Sequence, residues 1–306
     1  MSIVTKKIEE GQSRPYYEIL VGAFAFVLAF ASSLASANPN YESGMNDPGY
    51  YLRTGTVFFV PLTIAALIVL ALGTTMRKKP ATGHVVKAIG YLIEILAFAS
   101  YGAMSLVHYA ARPETAKNVY FLASVVAAIP YLYLFAAELL DYVGSDVLKG
   151  RKDTMTSLIP SFLGAAGFLY VLGNYLYPDL HQAEDMGNPE VGYGLHFYLL
   201  LIGMVVAILS GPVGHLAAKK FYPGETSGKS DMLSGVLLAI SGLVLFIDAF
   251  LIDSSGLFLY GLYYVSLALG CAILLMGACL ASYGELASRI KVGGGEAEEE
   301  NAEEKK

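Results

Sequence analysis

Five carboxylates interrupt the long apolar runs of this 306-residue chain: Glu94, Glu138, Asp141, Asp248 and Asp253. A charge held inside hydrocarbon is costly unless it is paired or functional, so each requires a reason. Glu138, Asp141 and Asp253 stand near the ends of their runs, where a side chain can extend to the interface. Glu94 and Asp248 stand deeper and are candidates for a proton relay or an ion contact. Among the five histidines, His84 and His181 fall in expected loops and His215 at the end of an apolar run. His108 and His196 fall near the ends of two different runs, at similar depth. Two imidazoles so placed can ligate a b-type haem, and each can equally serve as an interfacial polar residue. The sequence contains no Walker loop, HExxH, GxSxG or CxxC, and no nucleophile has a matching base at a readable spacing. Catalytic residues and metal ligands are therefore not assigned.

The elements that must hold these residues are long apolar segments. The most clearly drawn pair is 85–111 and 119–142, joined by the polar loop RPETAKN. Each exceeds the ~20 apolar residues that a helix needs to cross a bilayer. Backbone groups in lipid must satisfy one another, which makes each segment a helix. The same pattern recurs at 16–37, 56–76, 155–177, 193–217, 231–252 and 257–283, with polar loops between. The expected fold is all-α, a polytopic membrane bundle of eight transmembrane helices.

Hydrophobic residues make up 55% of the chain and charged ones 15%, with mean hydropathy +0.54, which leaves too little charge for a water-soluble surface. Trp is absent, so the 22 tyrosines must supply any interfacial aromatic belt. The net charge of −6 comes partly from the terminal GGGEAEEENAEEKK, expected to be a disordered acidic tail spanning 286–306. Cys271 and Cys279 share one segment about two helical turns apart, too far for a disulfide, and are expected to be small packing residues. The bilayer is the expected partner, subunits of a membrane complex are further candidates, and nothing points to nucleic acid.

Of the 20 Lys and Arg, 17 fall in alternate loops or termini, leaving only Arg53, Arg112 and Lys117 on the other side. The positive-inside rule then places both termini in the cytoplasm of a cell-membrane protein if the first segment is retained, whereas cleavage after Ala37 leaves seven helices with the N-terminus outside. Residues 1–15 form the cytoplasmic N-terminus. Residues 16–37 end in Ala35-Ser36-Ala37, which resembles a signal-peptidase site, so this segment is either a first helix or a cleaved signal peptide. Residues 56–285 form the remaining seven-helix membrane bundle.

GYLIEILAFASYGAMSL, a short polar loop, and NVYFLASVVAAIPYLYLFAAELL resemble the second and third helices of the microbial rhodopsins, with Pro130 as the third-helix proline. LYYVSLALGCAILL resembles their seventh. The resemblance covers 56–283 and implies an opsin-like bundle with an additional N-terminal segment. That family binds retinal covalently through a seventh-helix lysine. Here no lysine lies inside the last segment, and Ala268 falls near the expected position. The resemblance puts Ser124 where a pump carries its counterion carboxylate, Phe121 at the usual arginine and Phe135 at the proton donor. No covalent retinal is therefore expected, nor light-driven pumping of the conventional kind.

Three functions fit these residues. The first is a non-enzymatic opsin-like protein, a scaffold or binder of a noncovalent apolar ligand. The second is a membrane subunit of a respiratory electron-transfer complex, with haem b on His108 and His196 or with a quinone groove. The third is a small-solute or ion transporter, with Glu94 and Asp248 lining the path.

Overall fold

The computed structural model describes residues 48–76, 79–107, 114–144, 158–186, 195–223, 226–251, 266–286 and 288. Seven helices occupy these residues and no strand occurs among them: α1 Pro48–Thr75, α2 Pro80–Val107, α3 Glu114–Tyr142, α4 Ile159–Met186, α5 Leu195–Phe221, α6 Thr226–Leu251 and α7 Ser266–Leu286. Six are long and apolar enough to cross a membrane, as a multi-pass membrane protein requires, while the apolar stretch of α4, Ile159–Gly173, is shorter. The expected first segment at 16–37, Asp253 and the acidic tail beyond Ser288 lie outside the described residues.

Several helices extend past the apolar segments that announce them. α1 opens at Pro48 and α2 at Pro80, upstream of the expected starts at 56 and 85. Proline is well suited to a first helical position, because its missing N–H has no intrahelical acceptor there. α3 begins at Glu114 inside the expected loop, an acidic residue at the positive end of the helix dipole. It ends at Tyr142, and Gly144 then takes a positive φ of 66°, the conformation that stops helices. Between α1 and α2 the chain turns within a few residues, Met76 N–H bonding Gly73 O and Lys79 N–H bonding Met76 O.

Each helix from α1 to α6 packs against the next in sequence, and α4 also touches α6. The helices turn large aliphatic side chains outward: Ile64, Ile68 and Leu72 on α1, and Val236, Ile240, Leu243 and Ile247 on α6, are all more than 40% exposed. Lipid is as apolar as leucine, so these side chains gain little by turning inward, and close packing decides what does. The interior holds Phe59, Tyr91, Tyr120, Tyr131 and Phe168 with many Ala, Gly and Ser.

α6 and α7 show how far that packing goes. Gly228, Gly235 and Gly242 recur every seven residues on α6, and Gly270, Gly277 and Gly284 do so on α7. A Cβ at Gly277 would meet the Ala239 backbone, and one at Gly284 the Met232 backbone. The two backbones are therefore in direct contact along an antiparallel seam. On α5, Gly211 N–H donates to Ser161 Oγ of α4 at 2.8 Å, and Ser161 and Ser210 hydroxyls lie 3.1 Å apart. These side-chain bonds support the backbone next to Pro212, which cannot donate. Cys271 is half-buried, but Cys279 is exposed, so it does not serve as the packing residue expected from its segment.

Candidate functional site

α2 carries three polar residues, Lys87, Glu94 and Tyr101, seven residues apart on one face. At 1.5 Å per residue the steps are about 10.5 Å each. Each residue bonds a different neighbouring helix, so α2 is the spine of three polar tiers.

The middle tier is Glu94. Its side chain is 1% exposed, and Thr63 Oγ1 on α1, itself fully buried, donates to Glu94 Oε1 at 3.2 Å. Tyr131 on α3 is fully buried and within electrostatic reach of this carboxyl group. Tyr91, one turn from Glu94 on α2, is also fully buried. A carboxyl group so enclosed can hold or release a proton, with the Thr63 hydroxyl bonded to it.

The second tier lies at the end of the bundle that carries the α1–α2 turn. Glu138 on α3 accepts from Lys87 Nζ at 3.1 Å through Oε1, and its Oε2 lies 2.6 Å from His84 Nδ1. Glu138 has no exposed side-chain area, Lys87 is 13% exposed and His84 27%. Glu138 therefore does not extend to the interface as its place near a segment end suggested. Two basic groups from α2 meet it inside the bundle, which removes the need for water. His84, expected in a loop, and Lys87, at the edge of its apolar segment, both occupy the first turns of α2. The signal that finds them is Pro80, which starts the helix early enough to put both on the face that bears Glu94. Gly73 makes room, since a Cβ there would fall 2.5 Å from Lys87 Cγ. Asp141, one turn beyond Glu138, is half-buried.

The third tier pairs Tyr101 OH with Tyr170 OH of α4 at 3.2 Å. Beside it lies a cavity of about 10 Å³ lined by Phe59, Phe98, Tyr101, Ser124 and Tyr170, enough for about one water. Ser124 Oγ donates to Tyr120 O at 3.0 Å. Ring contacts of 5.1 to 5.5 Å link Tyr101 through Phe59 and Phe98 to Tyr131. Ser124 lines this cavity, and Phe121, three residues before it on α3, is 40% exposed.

Asp248 is as buried as Glu94, at 1% exposure, but sits on α6, whose main contacts are with α4, α5 and α7. The two deep carboxylates therefore stand on helices with different main neighbours, Glu94 among α1 and α3 and Asp248 among α4, α5 and α7. Ser234 and Ser241 share its heptad register and are equally buried. His108 lies outside the described residues, and His196 falls on α5 at a position whose side chain is not among them. Among the described residues no three His, Cys, Asp or Glu side chains gather as a metal cluster. No protein-family model, curated protein or solved structure matches this chain.

Proposed function

We propose that this protein is a non-enzymatic, opsin-like membrane protein without a Schiff-base lysine, which conducts protons along the buried face of α2. The single observation that carries this is the Glu94 carboxyl group, enclosed in the bundle and bonded to Thr63. A carboxyl group at that depth with no cationic partner shown among the described residues has a stability cost, and a proton-transfer role accounts for its presence. The tiers at Lys87 and Tyr101 extend the protonatable face over fourteen residues of α2, about 21 Å of a ~30 Å hydrocarbon layer. The sequential packing of seven helices supports an opsin-like arrangement. The loop charges put the α1–α2 turn, and with it His84 and Glu138, on the cytoplasmic side of the cell membrane.

The test is proton flux into liposomes holding the purified protein, driven by a potassium diffusion potential and read by an entrapped pH dye. Wild-type protein should exceed protein-free liposomes, and Glu94→Gln should lower the protein-dependent flux at least tenfold. The amide oxygen can still accept from Thr63, so folding is retained. Equal flux in the variant would remove Glu94 from the path. No protein-dependent flux at all would leave the scaffold or ligand-binding alternative.

A further inference from the structure

The conduction proposed above needs a point where protons enter from water. Glu94 cannot be that point, because it is sealed from solvent inside the bundle. We propose that His84 and Glu138 form the entry site, His84 taking a proton from the aqueous side and handing one to Glu138.

The geometry has the needed asymmetry. Glu138 is wholly buried, whereas the His84 ring is 27% exposed and touches Glu138 through Nδ1 at 2.6 Å. The ring therefore spans the boundary between water and the bundle. Imidazole suits this position because its two nitrogens are separate proton sites, one able to gain while the other gives. In the transfer, Nε2 binds a proton from water and the Nδ1–H bond breaks as an O–H bond forms at Glu138 Oε2. His84 ends neutral as the other tautomer, Glu138 ends neutral, and one positive charge has moved inward. Once Glu138 has passed its proton inward, a half-turn of the ring presents the protonated nitrogen to Oε2 and the free nitrogen to water, which resets the site with no proton gained or lost.

The other charged groups around the carboxylate define the roles. Lys87 holds Oε1 at 3.1 Å and leaves Oε2 to the histidine. It is a positioning residue, fixing which oxygen receives the proton. Asp141 lies one turn further along α3, and Lys79 is exposed in the turn before α2. Beyond Lys87, the next group inward on the same face able to exchange a proton is the Tyr91 phenol, seven residues from His84, about 10.5 Å along the axis.

The site rests on the conduction proposed for Glu94, and the experiment separates the two. Flux is measured for wild type, Glu94→Gln, His84→Gln and, as a control on α5, His215→Gln. Entry through His84 predicts at least a fivefold loss in His84→Gln and none in His215→Gln. Because a substitution can impair folding, wild-type protein already in liposomes is also treated with diethyl pyrocarbonate, which acylates accessible imidazole nitrogens. Treatment should slow wild-type flux at least fivefold and leave the residual flux of His84→Gln unchanged. Flux blocked by Glu94→Gln but indifferent to both His84→Gln and the reagent would overturn the entry site and leave the Glu94 path intact. Absence of protein-dependent flux in wild type would overturn both.

Discussion

Gly235 on α6 and Gly277 on α7 face each other reciprocally: a Cβ added to either would fall 2.6 Å from the other's carbonyl oxygen. No rotamer change relieves this, because the atoms met are backbone. Two effects of opposite sign then compete in Gly→Ala. Helix propensity favours alanine by about 1 kcal/mol. Overpacking against fixed atoms costs about 1–3 kcal/mol, and more where the backbones must part.

The clash should win. Gly235→Ala and Gly277→Ala are each expected to lower thermal stability in detergent. Ala278→Leu, one residue along on the exposed face, should change it by no more than about 0.5 kcal/mol. Unfolding followed by circular dichroism measures both. A stabilised Gly277→Ala would mean that α6 and α7 do not touch along this line.

Lys87 and Lys229 each pair with a glutamate, at 3.1 Å to Glu138 and 2.7 Å to Glu285, yet their deletion should cost very different amounts. Glu285 is 35% exposed and Glu138 not at all. Lys87→Ala leaves a buried carboxylate short of a partner and should destabilise by about 3–5 kcal/mol. Lys229→Ala should cost about 1 kcal/mol or less. Gly73→Ala pushes on the Lys87 stem, so its cost should shrink by at least about 0.5 kcal/mol when measured in the Lys87→Ala background. Additive costs would show that Gly73 does not position Lys87.

The side of the membrane on which the α1–α2 turn lies can be read directly. In a cysteine-free background, Lys79→Cys should react with an impermeant maleimide only after cells are opened. Lys117→Cys, in the first turn of α3, should react in intact cells. The opposite pattern would invert the topology and move the His84–Glu138 site to the outer face.

The middle tier of the site was legible without a fold, because a glutamate well inside an apolar run is too costly to stand there unpaired and idle. The tier at Glu138 was not. Nothing in the order of residues shows that a carboxylate near a segment end turns inward, or that His84 lies 2.6 Å from a residue 54 positions away. Pro80 offered a partial signal, since it permits a helix to start early enough to carry both basic residues.

What the sequence determined by itself is the material of the fold: long apolar segments, helical because lipid leaves the backbone no other partner, and basic residues concentrated in alternate connecting stretches. The tertiary structure alone decided which face of each helix turns inward. In water that choice is written as a stripe of apolar residues against polar ones. In lipid the surroundings are as apolar as the core, so a helix such as α6 is apolar on nearly every side, and its inward face is selected by size. Gly228, Gly235 and Gly242 therefore mark a contact face only once α7 lies against them, and Lys87, Glu94 and Tyr101 become one polar face only once α1, α3 and α4 supply their partners.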